Sequence, residues 1–574
     1  MLQPAVAQEE TNLFIAYPPP AHETVSDRIF FIGTADPDEP VTINGETIEN
    51  RSEDGHFAPT LPLELGENTF AIVQGSESLT LTITRLADTP PQPYGVGFAE
   101  GTLLPATDVA RLPGELICLS AIAPADAQVT AALGDQRAIA LTPQSAPTLP
   151  PNSAVLTDQT APVTTATSAT EYTGCTVPTE TGDLGKPVFT LNAQGETVTA
   201  EAPGQVSILS PASFQIAEVT AAEGTARTGP STDYSRITPL PAGTRATITG
   251  REGEWLRLDY GGWIKESETQ VSSDSAPPRS IIRGISAEQT DDWTEVFFPL
   301  QTPVPVSIRQ DTQSLTLTLH NTTPQTDTIY FSNDPVVERM DFNSVLPDRA
   351  EYTFHFKKPQ QWGYKLRYEG TSLVLSLRHA PENVGADQGS LRGATILLDA
   401  GHGSDADLGS VGPNGTPEKD VALVITKLLR DELQTRGATV VMTREGDDDL
   451  LPGDRVTIIN ESEPNLALSL HYNALPDAGD ALNTRGIGTF WYHPQAHDLA
   501  AFLHDYLVAE LNRESYGVYW NNLALTRPAI APSVLLELGF MINPEEFEWI
   551  VDEGAQRELA NVLADGIQAW LARQ

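Results

Sequence analysis

The run ATILLDAGHGS, residues 394–404, decides how the C-terminal third of the chain is read. Its apolar stretch reads as a buried strand, and the strand ends where His402 sits between Gly401 and Gly403. Beyond it the period changes. Residues 420–437 have helical spacing and close at Gly437. Residues 438–444 read as a strand, 454–462 as a short helix, and 465–471 and 486–493 as strands. A helix over 496–513, a strand over 533–540 and one or two helices over 545–573 follow. Strands alternating with helices predict a layered α/β domain over residues 391–574, a normal size for one domain.

Working outward, the rest of the chain reads as β-structure. FFIGTAD, VTINGETI, NTFAIVQG and LTLTITRL alternate apolar and polar residues, so 11–87 is expected to be a small β-sandwich. Asn44-Gly45 between β-branched runs predicts a hairpin there. Residues 88–215 hold strand-like ELICLSAIAP and PVFTLNAQGETVTAE around a Thr/Pro/Ala/Ser-rich stretch at 142–172, and read as an irregular β-domain. EVFFPL, VSIRQ, LTLTLHN, YTFHFK and LVLSLRH suggest a further sandwich over 278–382, with PENVGADQGS as a linker after it. The predicted class is thus multidomain: N-terminal all-β modules followed by a C-terminal α/β domain.

A chain of 574 residues is too long for one core. Its net charge of −43 excludes a nucleic-acid partner, whose phosphates need basic residues, and argues against adsorption to anionic lipid. No apolar run approaches a membrane span, so no stable membrane insertion is expected. Cys118 and Cys175 read either as one disulfide of an exported protein or as two buried thiols. The opening MLQPAVAQEET ends like a signal-peptide cleavage site but lacks the basic start and apolar middle.

Five of the ten histidines fall in the last domain: His402, His471, His493, His497 and His504. His402 and His471 follow strands directly, Glu418 opens the first helix, and Glu537 ends the strand SVLLE. Functional side chains of open α/β sheets collect at strand C-termini. Two imidazoles and two carboxylates so placed suit zinc: three ligands, an open position for water, and a fourth group to take a proton. Each residue alone also has a structural reading: His402 capping a turn, Glu418 favouring a helix N-terminus, His471 satisfied in a core. His493, His497 and His504 read as surface or structural residues.

The last 180 or so residues resemble the zinc-dependent N-acetylmuramoyl-L-alanine amidases. The pieces that carry the resemblance are DAGHGS, GSVGPNGTPEKDVAL, GATVVMTREGDD, LPGDRVTIIN, LALSLHYNA and PSVLLELGFMINPEE, in the family's order. Ser404 and DADLGS depart from the glycine run usual after the first ligand. The resemblance implies Zn2+ held by His402, Glu418 and His471, with Glu537 as the catalytic acid/base. It implies hydrolysis of the amide between N-acetylmuramic acid and L-alanine in peptidoglycan by a zinc-bound water. Asn473 is expected either to hold substrate or to form a turn.

Residues 216–272 resemble a bacterial SH3-like domain through ARTGPSTDYS, LPAGT and EWLRLDYGGWIKES. Its Trp255, Tyr260 and Trp263 are expected either to line a ligand groove or to fill the core of a small domain. Residues 11–87 resemble the immunoglobulin-like accessory domains of bacterial surface enzymes, and 278–382 the targeting modules that precede cell-wall amidases.

These resemblances imply an exported protein of the periplasm or cell envelope whose partner is peptidoglycan. Some amidases carry an occluding helix before the catalytic glutamate. Residues 490–540 read here as one helix and a short loop, so no activator is expected to be required. Two other readings are a non-catalytic wall-binding scaffold and a zinc peptidase cutting within the stem peptide.

Overall fold

A computed structural model describes residues 13–87, 91–134, 138–144, 169–274, 276–331, 333–381 and 390–574. The signal-like start, most of the 142–172 stretch and most of the 381–390 linker lie outside the described residues. The chain divides into two compact units. One takes the described part of residues 1–88 with Lys358–Lys365 and Leu377–Gln574; the other takes the described part of 89–357 with Leu366–Ser376.

The first unit is built on a six-stranded sheet. Its strands are β1 (Thr395–Ala400), β2 (Thr439–Met442), β3 (Leu466–Asn473), β4 (Ile487–Trp491), β5 (Ser515–Trp520) and β6 (Ser533–Phe540), in the order β2-β1-β3-β6-β4-β5. The pairs β1/β2, β1/β3 and β3/β6 are parallel, and β4 runs antiparallel to β6. The helices are α1 (Glu418–Thr435), α2 (Pro452–Ser462), α3 (Pro494–Glu510), α4 (Pro544–Val551) and α5 (Glu553–Leu571). Alternation along the strands sorts the faces. Ile396, Leu398, Leu468, Leu470, Val534 and Leu536 pack into one core with Ile425 and Leu429 of α1, Leu499 and Leu503 of α3, and Leu563 of α5. The residues between them face the other way.

Strand β5 is a correction to the sequence reading, which left SYGVYW inside a short loop. It pairs with β4 alone, at the edge of the sheet. Gly517, at a φ of 133° in mid-strand, hides the alternation that marks a strand.

Two segments outside the α/β sequence belong to the same unit. Trp362 is buried in its core, edge-on to Trp570 with ring centroids 5.7 Å apart. Around it the Tyr364 amide donates to Ala529 O at 2.8 Å, and Lys365 pairs with Glu463 at 2.7 Å. Residues 13–87 fold as β-structure around Ile29, Phe31, Val41, Phe57, Ile72 and Ile83. Asn44 and Gly45 take φ of 50° and 83° in the turn between Val41–Ile43 and Glu46–Thr47, as a tight hairpin requires.

The second unit is all β. Cys118 and Cys175 face each other across paired strands and form a disulfide, which decides between the two cysteine readings. Strand Arg245–Glu252 of the SH3-like segment pairs with Val109–Arg111, so one sheet continues from the preceding segment into it. Trp255 and Trp263 are buried, and Tyr260 packs against a small core that includes Leu240, Leu256 and Ile264. Of the two readings given for these aromatics, burial of Trp255 and Trp263 fits the core one. A domain this small has few other large side chains with which to close its interior. No helix among the described residues is long and apolar enough to cross a membrane.

Candidate active site

Parallel strands β1, β3 and β6 end at the same edge of the sheet, and the loops that leave them bring the four predicted residues together. His471 lies in β3 in register with Glu537 of β6. On the other side, the backbone after β1 turns sharply through Gly401, His402 and Gly403. His402 has a φ of 57°, a left-handed conformation uncommon outside glycine. A side chain at Gly401 would overlap the His471 ring at 2.4 Å, and one at Gly409 would come within 2.5 Å of His402 and 2.6 Å of Glu418. These glycines let backbone lie against the side chains of His402, Glu418 and His471.

Glu418 is the hub. Its Oε1 lies 3.2 Å from His402 Nε2 and 3.1 Å from His471 Nδ1, and accepts from the Tyr472 amide at 3.0 Å. Its Oε2 accepts from the Ser410 amide at 2.9 Å and the Ser410 hydroxyl at 3.0 Å. Burial would raise the Glu418 pKa, but the two imidazoles outweigh it and hold the carboxyl far below the usual carboxylate range. Burial would likewise lower His402; Glu418 and Asp407 together push it up to about 9. His402 Nδ1 is bonded to Asp407 Oδ1 at 2.6 Å, which leaves Nε2 to face Glu418.

Two imidazole nitrogens and a carboxylate oxygen, all within 4.8 Å of one another, are a donor set that fits zinc. The carboxylate bonded to the far nitrogen of His402 is the partner that ligating histidines have in such sites. Glu537 differs from the three. Its Oε2 is enclosed and has no hydrogen-bond partner. Burial first, and the charge of Glu418 second, push its pKa well above the usual carboxylate value.

Asn473 ends β3 beyond a register irregularity, and its Oδ1 accepts from the Ala474 amide at 2.9 Å. The other histidines lie elsewhere. His493 bonds Arg527 O at 2.7 Å, and His497 stands edge-on to Trp491. His504 is buried between Asp505 and Ser515. A second group with metal-compatible atoms, Asp54, His56 and Glu548, lies near α4. There Glu548 already accepts from the Asp54 amide at 2.9 Å.

The sequence reading missed the supports. Arg444 and Arg455 are buried and bind the turn that carries His402. Arg444 donates to Ala400 O at 3.0 Å, Gly401 O at 2.9 Å and Lys419 O at 2.7 Å. Arg455 donates to Asp399 Oδ1 at 2.6 Å, Ala400 O at 2.7 Å and His402 O. The arginines sit in TREGDD and GDRVTIIN, and Asp407 and Ser410 in DADLGS, but nothing local distinguishes them from surface residues.

Comparison with known proteins gives two family matches: N-acetylmuramoyl-L-alanine amidase over residues 396–569 and bacterial SH3 domain over 224–269. The germination-specific N-acetylmuramoyl-L-alanine amidase of Bacillus subtilis is 34% identical over 206 residues, 32% of this chain and 82% of that protein. The probable cell wall amidase LytH of Staphylococcus aureus is 30% identical over 233 residues, 39% of this chain and 77% of that protein. Among solved structures, the catalytic domain of CwlV, an N-acetylmuramoyl-L-alanine amidase from Bacillus (Paenibacillus) polymyxa, is 28% identical, with a TM-score of 0.30, and covers 32% of this chain and 99% of that one. The CwlD amidase of Clostridioides difficile, solved in complex with the GerS lipoprotein, is 29% identical, with a TM-score of 0.29, over 32% of this chain and 100% of that one.

Proposed function

We propose, for a chain that belongs to the N-acetylmuramoyl-L-alanine amidase family, a zinc-dependent reaction carried out outside the cytoplasm by Glu537. The substrate is peptidoglycan, cut at the amide between N-acetylmuramic acid and L-alanine. His402, Glu418 and His471 would hold the metal. When bound, zinc supplies Lewis acidity that polarises the amide carbonyl and acidifies a water. The observation that carries the reading is the contrast within one cluster: Glu418 is saturated by both imidazoles, while Glu537 beside it has no partner.

A carboxyl held at raised pKa in an enclosed place is suited to accept a proton and keep it briefly. Glu537 takes the proton of the attacking water as oxygen bonds to the lactyl carbon. It then returns that proton to the alanine nitrogen as the C–N bond breaks. Asn473 would offer its side-chain amide to the substrate from the end of β3. The SH3-like domain would hold the chain on the wall. Among the described residues, α3 is the one α-helix between His471 and Glu537, and Leu499, Leu503 and Leu507 bury it in the core. That burial supports an enzyme that acts without an activating partner.

The test is digestion of purified peptidoglycan by the full chain, with mass spectrometry of the fragments and metal analysis of the protein. Stem peptides with a free L-alanine amine, released by the unmutated chain and not by Glu537→Ala at equal zinc content, are expected. Release at an internal stem residue would identify a peptidase instead, and zinc without cleavage a scaffold.

A further inference from the structure

The N-terminal sandwich lies against each of the three segments that carry the site. Before Glu418, the Phe14 ring lies close enough to Gly415 that a side chain there would meet it at 3.2 Å. After Glu537, Phe30, Ile32 and Ala58 form one buried cluster with Ala481, Phe540 and Ile542. His56 stands edge-on to Phe547 of α4 with ring centroids 5.3 Å apart. After His471, the contacts become polar and directed. Asp477 accepts a hydrogen bond from the Tyr17 hydroxyl and pairs with His22 Nε2 at 3.0 Å; Thr60 Oγ1 donates to Gly479 O at 3.3 Å.

We propose that the sandwich is a working part of the substrate site, and that its grip on Asp477 fixes residues 474–486 for binding of the glycan–peptide substrate. The inference rests on the amidase reading above. Residues 474–486 leave the C-terminal end of β3 immediately after His471 and Asn473 and reach β4 without a helix or strand of their own. Ligands of such sheets bind at that end. Asn543 holds the far end of this connection by donating to the carbonyls of Ala481, Leu482 and Thr484, and long connections of this kind are usually functional. Tyr17 and His22 hold it at Asp477, and the apolar cluster holds it at Ala481. Burial, and then Asp477, push the Tyr17 phenol upward in pKa, so the phenol stays a donor. Asp477 is a positioning residue: it acts through the loop and touches none of the reacting atoms.

The experiment uses the full chain with Tyr17→Phe, Asp477→Ala and the double variant, assayed on peptidoglycan with metal analysis of each protein. Tyr17→Phe removes one oxygen and keeps the ring, so the fold is retained. The expected result is a KM about tenfold higher in Tyr17→Phe, the size of one lost bond to a charged group, and at least that in Asp477→Ala, which loses the His22 contact as well. kcat and zinc content stay at the unmutated values. The double variant is no worse than Asp477→Ala, because the Tyr17 hydroxyl reaches the loop through Asp477. Unchanged KM in both single variants overturns the inference, as does a fall in kcat that tracks lost zinc. An unmutated chain that releases no stem peptide overturns the amidase reading first.

Discussion

Asp399 and Glu537 are carboxyl groups of the same sheet, on β1 and β6, and their surroundings are opposites. Asp399 accepts from Thr443 and Arg455 at 2.6 Å each through one oxygen, and from Ser469 at 2.5 Å through the other. Burial would raise its pKa, yet Arg455 and these hydroxyls hold it below the usual value. Glu537 has an enclosed oxygen with no partner and a pKa pushed up. Asp399 is buried as a whole, and Glu537 is partly exposed with its Oε2 enclosed. What separates them is whether the fold supplies donors. A carboxylate given every donor it can use stays charged and holds the structure, here the turn that carries His402. One denied donors can hold a proton in the middle of a reaction.

The hardest way to break the contrast is at Glu537. Glu537→Gln should lower kcat by about 10²- to 10⁴-fold while zinc content is kept. Melting temperature should be equal or higher, since a charge without a partner has gone. Stem-peptide release and a thermal melt on one sample check both. Asp399→Ala should do the reverse. It leaves the Arg455 guanidinium buried without its carboxylate, which costs about 3–5 kcal/mol, read as a shift in urea midpoint. Zinc affinity should fall with it, because Arg455 also holds the His402 carbonyl. A third change lies between the two. Asp407→Ala takes the carboxylate from the far side of His402, and zinc affinity should drop about 10- to 100-fold with kcat at saturating zinc little changed. Competition with a chelator measures it.

The smallest effect is the sign of a pH dependence in chelator-treated protein. The folded-state pKa of Glu537 is raised, so its stability cost is absent below the unfolded value of about 4.3 and grows as pH rises above it. The advantage of Glu537→Gln in melting temperature should therefore widen with pH. Asp399 is depressed, so its contribution is complete above about 3.9 and is lost as pH falls through the folded pKa. The deficit of Asp399→Asn should therefore narrow in acid. Parallel slopes for the two variants would mean that the two sites do not differ as described.

The same contrast explains what could be read beforehand. His402, Glu418, His471 and Glu537 were legible because each stands in or beside a strand or helix whose period is visible in the sequence, although Glu537, read as ending its strand, lies within β6, which runs on to Phe540. Asp399, Arg444 and Arg455 were not, because a buried arginine has the same letter as an exposed one, and its partners lie as far as 56 residues away. The edge strand β5 was hidden by a glycine at its centre. The contacts of Tyr17 and His22 with Asp477 span 460 and 455 residues, and no local pattern announces a pairing of that kind. The indole of Trp362 raises the same problem in apolar form: burial is a property of the neighbours.

Trp362 also bears on how this protein could have been assembled. The family match begins at residue 396, yet an indole from well upstream lies inside the catalytic core against Trp570. The matched segment and the unit of folding therefore have different edges. A gene fusion that transplanted residues 396–569 into another chain would carry the chemistry and leave a pit where the indole belongs. Recombination that respects residue 358 would leave that plug in place.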